Sequence, residues 1–234
     1  MGQRRFEARR CDGCGLHDEL CVCAHRPQLS LATALLVVQN NKERHKPTNT
    51  ARMLPQVLTN CELVQFGVRG CEFDPSALTR PERDYVLIFP RVLDPEGGAP
   101  EPAPILDRSQ LAARRAARPD AIQTFVLLDG TWAQCSRMSR RLPELATMQA
   151  FALPEGPPSH WGVRVPSEPS RISSFEAGVR VIELAEGPGP ALALQTYFDH
   201  VAAGMLFMKA KQRSPAVPEH WVAEREHRFG RSPG

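Results

Sequence analysis

Short, continuous apolar runs recur along this chain, and they restrict its fold more than any other feature. Residues 34–38 read Ala-Leu-Leu-Val-Val, residues 85–89 Tyr-Val-Leu-Ile-Phe, and residues 125–128 Phe-Val-Leu-Leu. These runs are partly β-branched and too short for helices, so each reads as a buried strand. Residues 61–68 and 150–153 read as two more strands. Helical stretches fall near 51–57 and at 133–142, 174–184 and 191–213. The last of these carries Leu194, Phe198, Val201, Met205 and Met208 at three- to four-residue spacing, which is most simply a core stripe. Strands that alternate with helices predict an α/β domain with a mostly parallel sheet and flanking helices. No Gly-x-Gly-x-x-Gly follows the first strand and no P-loop is present, so a nucleotide would not be held in those ways.

At the end of the 125–128 run, the sequence turns to Asp129-Gly-Thr-Trp132 and then to a helical stretch studded with Arg137, Arg140 and Arg141. An acid, a hydroxyl and a large aromatic are thereby placed at the carboxyl end of a strand, the edge where α/β sheets bind ligands. The plainer reading is a strand-to-helix turn in which Asp129 caps the helix and Trp132 joins the core.

Four of the seven cysteines fall within one short segment, as Cys11-x2-Cys14-x6-Cys21-x-Cys23. In a reducing compartment such a cluster points to tetrahedral zinc rather than disulfides. Asp12-Gly13 supports a tight turn, and His17 or His25 can replace one thiol. Four thiolates leave no open position, so the zinc is expected to be structural. The segment divides the 234-residue chain into a basic N-terminus with a zinc knuckle at 1–27, a main domain at 28–213 and a tail at 214–234. Residues 1–10 are expected to fray, and residues 94–104 and 154–170 to form surface loops.

The formal net charge is only +3, but arginine dominates lysine among the 29 cationic residues. Arginine forks phosphate and stacks on bases, which suits nucleic acid; a GC-rich genome raises Arg, Pro, Ala and Gly together and accounts for part of the skew. Clusters therefore carry more information than totals. They lie at Arg4, Arg5, Arg9 and Arg10, at Arg137, Arg140 and Arg141, and at Lys209, Lys211 and Arg213. No apolar stretch reaches membrane-spanning length and the N-terminus lacks a signal-peptide core, so a cytoplasmic protein without a membrane partner is expected.

Three segments join the four-cysteine start: His45 to Arg52 (His-Lys-Pro-Thr-Asn-Thr-Ala-Arg), Leu128 to Ala133, and Arg171 to Ala177 (Arg-Ile-Ser-Ser-Phe-Glu-Ala). In this order they resemble the DTW-domain family. Asp129-Gly-Thr-Trp132 is similar to its Asp-x-Thr-Trp motif, residues 47–52 to its Thr-Asn-Thr loop, and residues 171–177 to its Ser-Thr-x-Glu-Ala motif. The strand ending at Pro90 resembles one ending in Tyr-Pro, with Phe89 in place of the tyrosine.

The resemblance implies a tRNA-uridine aminocarboxypropyltransferase. Such an enzyme moves the 3-amino-3-carboxypropyl group of S-adenosylmethionine to N3 of a uridine, here in the variable loop of tRNA, and releases 5′-methylthioadenosine. It also implies a SPOUT-related fold with a C-terminal trefoil knot. Monomer and homodimer are both compatible with the sequence. Asp129 is the candidate catalytic carboxylate, because uridine N3 must lose its proton to attack. Trp132 would wall the cofactor. Backbone groups near Pro90, Leu128, Ile172 and Ser173 would read adenine, and Thr48, Thr50, Thr131 and Ser174 would hold the remainder. Lys46, Arg52, Arg137, Arg140, Arg141 and Arg171 are candidate RNA or carboxylate binders. Glu176 reads as a first-turn helix acid. Two other readings remain open: an S-adenosylmethionine-dependent RNA methyltransferase, and a non-catalytic zinc-containing RNA-binding protein.

Overall fold

The computed structural model describes residues 9–92, 101–163 and 171–230. Five strands, β1 (Ala34–Asn40), β2 (Cys61–Phe66), β3 (Arg83–Ile88), β4 (Ile122–Asp129) and β5 (Gln149–Phe151), form one sheet in the order β2-β1-β4-β3-β5. Every pairing is parallel. The continuous apolar runs have a direct cause, since both faces of the sheet are covered. Leu35, Val37, Phe125 and Leu127 face one core, while Leu36, Val38, Leu87 and Val126 face the other.

The first face carries α1 (Leu54–Val57), α2 (Arg108–Ala117), α5 (Ser174–Glu186) and α6 (Pro188–Met208). The second carries α3 (Trp132–Arg141) and α4 (Pro143–Ala146). Gly187, at φ +94°, makes the sharp turn between α5 and α6, a backbone conformation that favours glycine. The stripe of α6 is core as expected, with Leu194, Phe198, Val201 and Met205 fully buried.

Several elements differ from expectation. Helix α2 lies where no helix was expected; Asp107 and Gln110 form a capping box at its start, a signature legible in the sequence. Residues 51–57 divide into a 3-10 turn and a single α-turn, because Pro55 restricts the chain there. Helix α6 ends at Met208 rather than 213. The segment read as a tail contains α7 (Glu219–Phe229), which packs on α6 through Trp221 and Phe229. With two apolar anchors in a charged stretch, α7 has little periodic signal of its own.

The cysteine knuckle shares the main core. Cys14 and Leu16 are completely buried, and Leu16 lies so close to Gly204 of α6 that a Cβ there would meet it at 2.8 Å. No helix among the described residues is long and apolar enough to cross a membrane.

Candidate active site

Register explains how the site is assembled. Parallel pairing sets Gln39 opposite both Gln65 and Asp129, so three polar residues lie in a row at the carboxyl ends of β2, β1 and β4. All three continue the face that packs against α5. Gln65 Nε2 donates to Gln39 Oε1 (2.7 Å), and Gln39 Nε2 donates to Asp129 Oδ2 (2.9 Å).

Asn49, from the loop after β1, adds a second donor to Asp129 Oδ2 at 2.6 Å. Ser174, the first residue of α5, donates its hydroxyl to Asp129 Oδ1, also at 2.6 Å. Asp129 is only 4% exposed, yet its three hydrogen-bond partners among the described residues are all donors. It lies beneath the N-terminus of α5, where the helix dipole favours an anion. Thr50 completes the corner, its hydroxyl oxygen accepting from the Phe175 amide at 3.4 Å. One carboxylate thus joins the three motif segments.

Beside this network, Thr131 caps α3 in a capping box with Gln134, so the helix is capped by the threonine and not by Asp129. Trp132 is half-buried. Its ring packs on Phe89 (centroids 5.5 Å apart) and lies under the Arg171 guanidinium at 4.6 Å. Ser173 caps α5, with Glu176 completing that box as a first-turn acid. Ile172 is half-buried, Leu128 lies above Cys135, and Pro90 is exposed at the end of β3. Thr48 is half-buried in the loop that presents Asn49.

The cationic candidates separate. Arg137, Arg140 and Arg141 are exposed together on α3. Lys46 pairs with the buried Glu43. The Arg52 guanidinium is turned to the knuckle, donating to the Asp12 carbonyl at 2.8 Å. Arg9 and Arg10 also brace the knuckle, through Asp18 and the Gly15 carbonyl. Lys211 is exposed but holds the carbonyls of Gly162 and Val163; Lys209 and Arg213 are exposed beside it. Arg4 and Arg5 lie outside the described residues. Gln39, Gln65 and Asn49 escaped the sequence reading as site residues. Asn49 lies inside the Thr-Asn-Thr segment, and Gln39 marks the polar end of the first apolar run.

Cys11, Cys14, Cys21 and Cys23 bring their sulfurs within 4.8 Å of one another. The Cys11–Cys23 and Cys14–Cys21 separations are 3.6 and 3.9 Å. Four thiolates around one zinc at the usual bond length stand about 3.8 Å apart, so the cluster fits the ion. A second observation agrees. The buried Tyr197 hydroxyl has no oxygen or nitrogen partner among the described residues and lies against the cluster; burial, then Cys23 and Cys14, push its pKa up. A thiolate at Cys23 is the acceptor it lacks. Burial raises the Cys14 thiol to about 12, whereas hydrogen bonds from the Cys14 and Gly13 amides and from Cys21 outweigh burial at Cys11 and lower it to about 7. A zinc ion would overcome the cost at Cys14 by binding the thiolate. His17 and His25 are not members of the cluster.

The DTW-domain profile matches residues 8–206, which spans the knuckle, all five strands and nearly all of α6. No solved structure matches the chain. Cys11, the Thr-Asn-Thr loop, the Asp129 turn and the Ser174 corner all fall within the matched region, and three of them meet at one carboxylate. The chain belongs to the DTW-domain family, and this membership is consistent with a tRNA-modifying enzyme.

Proposed function

We propose that this protein transfers the 3-amino-3-carboxypropyl group of S-adenosylmethionine to N3 of a tRNA uridine, in the cytoplasm, and that the uridine lies in the variable loop. The observation that carries the reading is the buried Asp129 carboxylate joining the three motif segments beside Trp132. The reaction forms one N–C bond and breaks one S–C bond. The electron pair returns to the sulfonium, which leaves as the neutral thioether 5′-methylthioadenosine. The proton of N3 passes to Asp129 through the Ser174 hydroxyl, which covers Oδ1 and is itself half-buried. Gln39 and Asn49 hold the opposite oxygen still, so the acceptor is oriented before substrate arrives.

Trp132, with Phe89 on one side and Arg171 over its ring, walls the cofactor. Thr48, Thr50, Thr131, Ser173 and backbone groups at Pro90, Leu128 and Ile172 complete the cofactor site. The SPOUT relation and its C-terminal knot belong to the same proposal. Support comes from an all-parallel sheet and from a chain that leaves β5 at the sheet edge and returns over β4 as α5.

Mass spectrometry of tRNA incubated with enzyme and S-adenosylmethionine tests the reading. An aminocarboxypropyl-uridine and methylthioadenosine are expected. A methylated nucleoside with S-adenosylhomocysteine would instead establish a methyltransferase, and absence of cofactor binding would leave an RNA-binding protein.

Binding of tRNA should depend steeply on salt, because Arg137, Arg140 and Arg141 present exposed charge on one helix. Replacing each by Gln is expected to flatten the log–log salt slope by roughly 0.7–0.9 per lost phosphate contact. Lys46 and Arg52 already hold protein partners, so their replacement should affect the slope less. An affinity independent of salt would rule out phosphate-driven binding.

A further inference from the structure

Far from Asp129 along the chain, a buried charge cluster ties α7 to the segment that leads into the site. His160 lies between two carboxylates, with Nδ1 at 2.8 Å from Asp199 of α6 and Nε2 at 3.2 Å from Glu224 of α7. Its ring is stacked on Trp221, with centroids 4.2 Å apart and planes 3° from parallel. Asp199 is 0% exposed and also accepts from Gln195 and from Arg225 of α7. Glu176 and Arg180 of α5, Glu224, Arg225 and Arg228 of α7, and His160 line one small cavity.

The other end of His160 points toward the site. Its backbone amide donates to Glu176 Oε1 at 2.8 Å, and Ser159 donates its hydroxyl to Glu176 Oε2 at 2.6 Å. The same Oε2 accepts from the Ser173 amide at 2.8 Å, and the next residue, Ser174, donates to Asp129. A continuous hydrogen-bonded path therefore runs from α7 through His160 and Glu176 to the Ser173–Ser174 corner.

We propose that His160 is a positioning residue and α7 the clamp it engages: together they hold Ser174 in line with Asp129. The inference rests on the proposed transfer reaction for its kinetic consequence but not for its structural one. The imidazole is charged over a wider pH range than usual. Burial opposes the charge, but the hydrogen bond and charge of Asp199, followed by Glu224 and Glu176, prevail and raise its pKa. A group raised on docking contributes fully below its free pKa and loses that contribution as pH climbs through the docked value. The clamp is thus strongest in the acidic to neutral range and relaxes in alkali. His200 of α6 is the other imidazole that Asp199 and Arg225 act on; burial and Arg225 hold its pKa below the usual value, so it loses its charge before His160 does. The remaining charged groups facing the cluster, among the described residues, are Glu176 and Arg180 of α5, Asp199 of α6, and Glu224, Arg225 and Arg228 of α7.

The test compares the full-length wild type with His160→Gln, which keeps the backbone amide and removes the charge and the stack. Hydrogen exchange of residues 171–176 is measured first, without substrate. Exchange is expected to rise about tenfold in the variant near pH 6.5, with the difference shrinking toward pH 9. Single-turnover transfer at saturating tRNA and cofactor should show the same pH-dependent ratio, with cofactor affinity changed less than twofold. Glu224→Gln removes one partner at a part-exposed position and should give the same pattern more weakly, which keeps the test valid if His160→Gln folds poorly. Unchanged exchange at 171–176, or an exchange difference independent of pH, overturns the clamp. Should the exchange respond while no aminocarboxypropyl product forms with wild type, the clamp stands and the proposed reaction fails.

Discussion

Asp129→Asn is expected to slow transfer by about 10²–10⁴-fold while leaving the fold and cofactor binding nearly unchanged. The network makes this a clean substitution. An asparagine oxygen placed where Oδ2 now lies still accepts from Gln39 and Asn49, and the new amide takes the place of Oδ1. Ser174, now a donor at 2.6 Å, turns to become an acceptor. Each group now bonded to Asp129 keeps a partner, but the proton acceptor is gone. Asp129→Ala differs, because it leaves the Gln39 and Asn49 amides facing a void; each stranded group costs about 1–3 kcal/mol. The alanine variant should therefore lose stability as well as rate, and the asparagine variant rate alone. Single-turnover transfer at saturating tRNA and cofactor, alongside thermal unfolding, separates them. If Asp129→Asn keeps most of its rate, the carboxylate only ties the three segments together and the proton leaves by another route. Capping cannot account for a loss of rate, since Thr131 caps α3.

The second large effect concerns the knuckle. Elemental analysis is expected to find one tightly bound zinc per chain, and Cys21→Ser with Cys23→Ser to abolish it. Because Cys14 and Leu16 belong to the main core, the loss should reach beyond the N-terminus. A destabilisation of ~3 kcal/mol would lower Tm by roughly 6–12 °C for a chain of this size. Binding of tRNA should weaken more than binding of cofactor, since the Asp129 corner is built from other segments. Arg52 connects the two regions through Asp12, so Thr-Asn-Thr loop order offers a sensitive secondary readout. Wild-type zinc content in the double variant would rule out this ligand set.

Much of the fold was legible because its central strands are buried on both faces. Runs such as Leu-Leu-Val-Val tolerate no polar alternation there, so β1, β3 and β4 could be placed from residue type alone, to within a few residues. The edge strands β2, half-buried with Glu62 and Gln65, and β5, only three residues long, carry a weaker form of the same signal. The α6 stripe and the cysteine spacing were legible for the same kind of reason: each is a local pattern set by one period or one coordination sphere. Helix α2 was detectable from Asp107 and Gln110, but its low apolar content concealed it. Helix α7 was not detectable by pattern, since its stability comes from Trp221 against His160 and from Phe229 in a distant core.

By itself, the sequence determined the parallel α/β class, the four metal-ligand candidates and the position of Asp129 at a strand end. These depend on periodicity and on chain-local spacing, which any reading of residues can recover. Only the tertiary structure decided what Asp129 meets. Gln39 is 90 residues away from it, Asn49 80 and Ser174 45, and the encounter follows from strand register and helix placement. The same holds for Arg52, which resembles a phosphate binder in sequence and braces the knuckle in space, and for His160, which joins α7 to the site. A side chain's role is set by its partners, and partners separated by long stretches of chain are chosen by packing of the whole core rather than by any local preference.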